Sequence, residues 1–168
     1  MAALNVLFLC THNSARSILA EALLNDMGQP AFKGYSAGSS PRENQQPNPL
    51  GLQVLQHAGI STEGLYSKSW EAFAGPQAPQ MDLIITVCDN AAGEACPIWP
   101  GHPATAHWGY PDPSEGNGSD AEKLEAFRKT LHAIRRRLEL LISLPTAKLE
   151  KSLLQNTARD LAKSENQA

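Results

Sequence analysis

The sequence predicts an α/β fold, a single doubly wound domain with a four-stranded parallel sheet flanked by helices. Three observations predict it. Apolar runs of strand length occur at 4–9 and 82–87, segments with helical spacing follow or separate the strands, and Gly or Pro marks most boundaries. Strands that alternate with helices pair in parallel through helical crossovers. A chain of 168 residues favours one domain and can bury roughly 70% of its unfolded surface. The expected division is a domain over 1–145 and a polar tail over 146–168.

The first strand is Leu4-Asn5-Val6-Leu7-Phe8-Leu9. A polar loop follows, and from Ser17 to Met27 the pattern is helical until Gly28 and Pro30 stop it. Phe32 to Ala37 alternates weakly and predicts a second strand. Gly38 to Pro49 is rich in Ser, Pro, Asn and Gln and predicts an exposed loop. Leu50, Leu52, Val54, Leu55 and Ala58 predict a short helix ending at Gly59. Trp70 and Phe73 are candidate core or flap aromatics in the mixed stretch that follows. Asp82 to Val87 is the strongest strand signal, apolar and β-branched enough for burial on both faces. A Gly-, Ala- and Pro-rich loop covers Cys88 to Pro103, and Thr105 to Tyr110 predicts the last strand. Ser119-Asp120-Ala121-Glu122 has the form of a capping box. Leu124, Phe127, Leu131, Ile134, Leu138 and Leu141 then recur at spacings of three and four, an amphipathic helix that Pro145 ends.

Composition excludes several classes. The net charge is −3, and nonspecific nucleic-acid binding needs a basic face. No apolar run approaches a membrane span, and no basic segment precedes the first strand as in a secretion signal. Three cysteines are too few for a disulfide scaffold, and their spacing fits no paired zinc pattern. The expectation is a cytoplasmic protein that binds neither nucleic acid nor membrane, where a functional cysteine is catalytic or redox-active.

Ligands of doubly wound sheets bind beyond the carboxyl ends of the strands, at the point where the strand order reverses. Cys10, Cys88 and Asp112 each follow a predicted strand, so three reactive residues converge on one edge. The segment Cys10-Thr11-His12-Asn13-Ser14-Ala15-Arg16-Ser17 joins a strand to a helix N-terminus. There the backbone N–H groups of Thr11 to Ser17 make an anion cradle, reinforced by the helix dipole. Arg16 adds a fork that matches a tetrahedral oxyanion. The same field is expected to favour the Cys10 thiolate, with Ser17 donating to it and Asn13 holding the loop through its amide.

This loop, directly after an N-terminal strand, resembles the phosphate-binding loop of the low-molecular-weight protein tyrosine phosphatases. It is closer still to the thioredoxin-coupled arsenate reductases that share their fold. The likeness runs from about Leu4 to Leu144. It implies either reduction of arsenate to arsenite or, as the alternative, hydrolysis of phosphate monoesters through a phosphocysteine. A third reading, a non-enzymatic oxyanion binder, leaves the thiol of Cys10 without a purpose.

A phosphatase needs one cysteine, whereas this chain places Cys88 after the third strand and Cys96 beyond it in a run of small residues. The resemblance implies that these two are a redox pair. In the implied relay Cys10 attacks arsenate, held by the loop and Arg16, while Asp112 in Tyr110-Pro111-Asp112-Pro113 protonates the departing oxygen. Cys88 then attacks Cys10, arsenite leaves, and Cys96 attacks Cys88. No cofactor is implied, only an external thiol reductant, thioredoxin or glutaredoxin with glutathione. Phosphate and sulfate are the expected competing oxyanions. The resemblance also raises a potassium ion behind the loop at Asn13, Glu21 and Ser36, with Thr62 and Glu63 as further candidates.

Other residues have plainer readings. His12 stands where related loops often have Gly, and faces solvent or tunes Cys10. His102, His107 and Cys96 match no standard metal spacing. Arg135-Arg136-Arg137 reads as a solvated helix face, and Trp70, Trp99 and Trp108 as core or cleft walls.

Overall fold

The computed structural model describes residues 3–75, 77–87, 104–114, 118–143 and 158–162. Cys88, Cys96, Trp99, His102 and Pro145 lie outside the described residues. Four strands form one sheet: β1 (Leu4–Cys10), β2 (Phe32–Gly38), β3 (Leu83–Thr86) and β4 (Ala104–His107). Their order is β2-β1-β3-β4 and every pairing is parallel. The chain moves outward from β1 to β2 and then returns to the other side of β1. The order therefore reverses between β1 and β3, and Cys10 is the last residue of β1. This is the four-stranded parallel sheet flanked by helices that the alternating pattern predicts.

The central position of β1 explains its composition. Residues alternate between faces, and here both faces are covered. Val6 and Phe8 join a core built with α1 (Arg16–Met27), α2 (Pro49–His57) and α3 (Asp120–Ile142). Leu7 and Leu9 meet Trp70, Phe73, Met81 and Ile84 on the opposite face. Trp70 and Phe73 sit in a 3₁₀ turn (Trp70–Phe73), so they are core residues. Ile18, Leu19, Leu23 and Leu24 of α1 are all buried, each burial worth roughly 2 kcal/mol. The helix lies against β1 and β2 and touches both α2 and α3.

Side-chain caps start two of the helices. Asn48 Oδ1 accepts from Leu50 N at 2.9 Å, and Pro49 opens α2. Ser119 Oγ accepts from Glu122 N at 3.3 Å before α3, as the capping-box pattern predicts. In α3, Phe127, Leu131, Ile134, Leu138 and Leu141 are buried on the expected stripe.

Two expectations need correction. The last strand was expected to run from Thr105 to Tyr110, but β4 ends at His107. Trp108 N still reaches Thr86 O at 2.7 Å, and then Pro111 and Pro113, which lack N–H donors, accompany the chain out of the sheet. The basic triplet of α3 is not a uniform solvated face either. Arg136 is exposed, but Arg137 is 2% exposed, because it falls three residues after Ile134 on the buried stripe.

Candidate active site

The residues Cys10 to Ser17 wrap the carboxyl end of β1. Cys10 is 4% exposed. The loop's carbonyls turn outward to neighbours. Cys10 O accepts from Ser39 N at 2.9 Å, Thr11 O from Ser40 N at 2.8 Å, and Ser14 O from Asn48 N at 2.8 Å. Asn13 O accepts from Ser67 Oγ at 2.6 Å, and Ala15 O from Leu19 N at 2.9 Å. In a trans peptide the C=O and the next N–H point in opposite directions. The N–H groups of Thr11, His12, Ser14, Ala15 and Arg16 therefore face away from those partners. Such a row of amides is a nest for an anion.

Two residues make this curvature affordable. Asn13 is fully buried with φ +58°, a left-handed conformation that Asn tolerates better than most residues. Its side chain is committed at both ends, with Nδ2 donating to Ser17 Oγ at 2.8 Å and Oδ1 accepting from Lys68 N at 3.0 Å. Ser17 Oγ spends its acceptor on Asn13 and keeps its own proton to donate. Gly38 is the second. A Cβ there would stand 2.7 Å from Thr11 O and 2.9 Å from His12 C, so β2 must end in glycine for the loop to fold against it. Gly38 was not singled out in the sequence. Its signal was present, a glycine at the end of a strand neighbouring the strand of Cys10.

Arg16 is anchored by the segment leaving β4. Its Nη1 donates to Tyr110 O at 2.9 Å, and its Nη2 lies 3.7 Å from Asp112 Oδ2. Asp112 Oδ1 accepts from Ser114 N at 2.9 Å and from Ser114 Oγ at 2.7 Å. One carboxylate oxygen is thus fixed by a turn and the other faces the arginine. The structure brings Cys10, Arg16 and Asp112 to the same edge of the sheet, although 102 positions separate the first from the last. A notch of about 670 Å³ opens beside the loop, lined among others by His12, Ser14, Arg42, Asn44, Asp112 and Ser114.

Behind the loop a lysine of this chain stands among the residues of the potassium expectation. The ammonium of Lys68 lies 3.8 Å from Glu21 Oε1 and donates to Ser36 O at 3.0 Å and Tyr66 O at 2.8 Å. Ser36 Oγ donates to the same Glu21 oxygen at 2.5 Å. Two of the three residues expected around potassium therefore hold a lysine of this chain, and Asn13 Oδ1 is taken by the Lys68 amide. A second cation here would be repelled by the first, so these residues do not fit a potassium ion. Burial raises the Glu21 carboxyl above its usual range, against the opposing pull of Ser36 and Lys68. Burial likewise lowers Lys68, and Glu21 opposes that shift. His107 Nδ1 lies 2.7 Å from Thr86 Oγ1, and His102 and Cys96 lie outside the described residues.

The sequence model of the family described as low molecular weight phosphotyrosine protein phosphatase matches residues 5–156. The chain belongs to that family. The match spans β1 to α3 and ends before 158–162. Proteins similar to it include several named arsenate reductases. An arsenate reductase from Bacillus subtilis (strain 168) is 31% identical over 134 residues, covering 80% of this chain and 91% of that protein. The crystal structure of an arsenate reductase from Archaeoglobus fulgidus DSM 4304 superposes with a TM-score of 0.63 at 27% identity, over 83% of this chain and 99% of that one. A thioredoxin-dependent arsenate reductase from Corynebacterium glutamicum gives 0.55 at 26% identity, over 83% of this chain and 63% of that one. Among the described residues, no helix is long and apolar enough to cross a membrane.

Proposed function

We propose that this protein reduces arsenate to arsenite by a relay of three thiols, with Cys10 as nucleophile. The observation that carries the reading is the anchored guanidinium of Arg16, held by Tyr110 O and facing Asp112 beside the nest of Cys10. A nucleophile, an oxyanion clamp and a proton donor then stand at one edge of the sheet. The Cys10 thiolate attacks arsenic, and Asp112 protonates the oxygen that departs as water, leaving a Cys10–arsenic bond. Thr11 to Ser17 hold the remaining oxygens through the loop amides and Arg16.

The electrons come from sulfur. Cys88 as thiolate attacks Cys10 Sγ, a Cys10–Cys88 disulfide forms, and the electron pair of the S–As bond stays on arsenic, which leaves as arsenite. Cys96 attacks Cys88 Sγ, freeing Cys10 and leaving a Cys88–Cys96 disulfide. An external dithiol such as thioredoxin returns the two electrons, which places the protein in a reducing cytoplasm. The names of the relatives support this reading. So does the polar lining of the notch beside the loop, where His12, Ser14, Arg42 and Asp112 suit a hydrated oxyanion.

The test is a pair of assays on wild type, Cys88→Ser and Cys96→Ser: arsenate reduction with a thioredoxin system, and phosphate release from an aryl phosphate. The relay predicts loss of reduction in both variants. Reduction that survives both substitutions overturns it, and robust phosphate release with no reduction in wild type assigns a phosphatase instead.

A further inference from the structure

The segment that anchors Arg16 from the front is itself held from behind. Arg137 of α3 is buried, and a buried guanidinium is costly unless its surroundings compensate. Here its Cζ lies 4.8 Å from the centroid of the Tyr110 ring and 5.8 Å from that of Trp108, a cation–π arrangement strengthened by exclusion of water. Its Nη2 donates to Ala162 O at 3.2 Å. Trp108 Nε1 donates to Ala158 O at 2.7 Å in a fully buried bond, and Arg159 Nε reaches Thr105 O at 3.2 Å. Ala158 is fully buried against the core. Residues 158–162, helical and outside the family match, therefore clasp β4 and the segment leaving it at two points, Thr105 and Trp108, and α3 at a third, Arg137.

The two sides meet in one residue. The Tyr110 ring rests on Arg137, and the Tyr110 carbonyl accepts from Arg16. Two positions later comes Asp112. We propose that Arg137 and residues 158–162 form a positioning brace for the Trp108–Asp112 segment, coupling the far end of the chain to the oxyanion loop. Arg137 touches no substrate and acts only through Tyr110. Coupling is reciprocal, so an oxyanion on Arg16 must tighten 158–162 by the same factor that the brace improves oxyanion binding. In use the brace rests on the proposed reaction, but its physical test does not.

The experiment is hydrogen exchange followed by mass spectrometry on the full chain, with and without saturating inorganic phosphate, together with arsenate kinetics. In wild type, phosphate slows exchange in 104–114 and also in 158–162. In Arg137→Met the slowing survives in 104–114 and disappears in 158–162, and kcat/KM falls about tenfold through misplacement of Arg16 and Asp112. Trp108→Phe keeps an aromatic ring, though a smaller one, and removes the N–H donated to Ala158; it gives the same pattern more weakly, which keeps the test decisive if Arg137→Met does not fold. Exchange in 158–162 indifferent to phosphate in wild type overturns the brace. So does a folded Arg137→Met or Trp108→Phe that retains the slowing in 158–162. Intact coupling in a protein with no arsenate reduction refutes the proposed reaction and leaves the brace standing.

Discussion

The oxyanion loop lies between two ion pairs of nearly equal length. Arg16 and Asp112 approach to 3.7 Å on the side of the notch, and Lys68 and Glu21 to 3.8 Å behind the loop. The distances are alike, but the remaining bonds differ. Lys68 also donates to Ser36 O and Tyr66 O, and Glu21 also accepts from Ser36. That pair is enclosed by fixed partners, and its worth lies in holding the loop's supports together. Among the described residues Arg16 donates to Tyr110 O at 2.9 Å and approaches Asp112 at 3.7 Å, and the Asp112 side chain is 26% exposed. That pair is open to an incoming anion, which can take the guanidinium's second face. The closed pair stabilises, and in the proposed reaction the open pair binds and reacts.

The largest effect that would sharpen this contrast is on the open side. Asp112→Asn keeps an oxygen for the Ser114 turn and removes the proton. We expect formation of the Cys10–arsenic adduct to slow about 10²- to 10³-fold, with phosphate affinity changed by less than about threefold. Rapid-quench measurement of adduct formation and phosphate competition separate the two. An unchanged adduct rate removes Asp112 from the chemistry.

The closed side should answer in stability instead. Lys68→Met leaves a buried carboxylate without its counter-charge, at a cost of about 3 kcal/mol near neutral pH, or a melting temperature lower by about 6–12 °C. The sign with pH follows from Glu21. Burial already raises its pKa, and losing Lys68 removes two influences that lower it. The folded state then holds the proton more tightly than the unfolded chain, so this contribution is present at acid pH and lost as pH rises. The melting gap between wild type and Lys68→Met should widen from pH 4.5 to pH 8. A gap that narrows over that range contradicts the assignment. The smallest expected effect is none at all. Reduction rates in potassium and sodium salts of equal ionic strength should coincide, because Lys68 occupies the cation position. A clear preference for potassium would reopen that site.

The parts legible in the sequence were those written in contiguous residues. Cys10 to Ser17 carries the proposed nucleophile, the turned loop and the arginine within eight positions, and the burial stripe of α3 follows from a spacing of three and four. The apolar composition of β1 and β3 announced strands, and that of β3 announced burial on both faces. What stayed hidden depends on distant residues meeting. Lys68 lies in a mixed stretch with no periodicity, and nothing local shows that its ammonium reaches Glu21. Arg137 stood in a run of three arginines, where composition suggests solvent and only helix phase reveals burial. The bond from Trp108 to Ala158 spans 50 positions and involves a backbone carbonyl, which any residue supplies. The end of β4 was overestimated because an apolar, aromatic run reads as strand even where prolines lead it out of the sheet.

The central claim is that arsenic takes two electrons from thiols of this chain, whose oxidation ends in one disulfide. Its most direct test is mass mapping of the disulfide left after a single arsenate turnover without reductant. The account predicts a Cys88–Cys96 disulfide with Cys10 returned to the free thiol. Free thiols at all three cysteines after stoichiometric arsenite release, or a glutathione adduct at Cys88 or Cys96 as the required product, would contradict it.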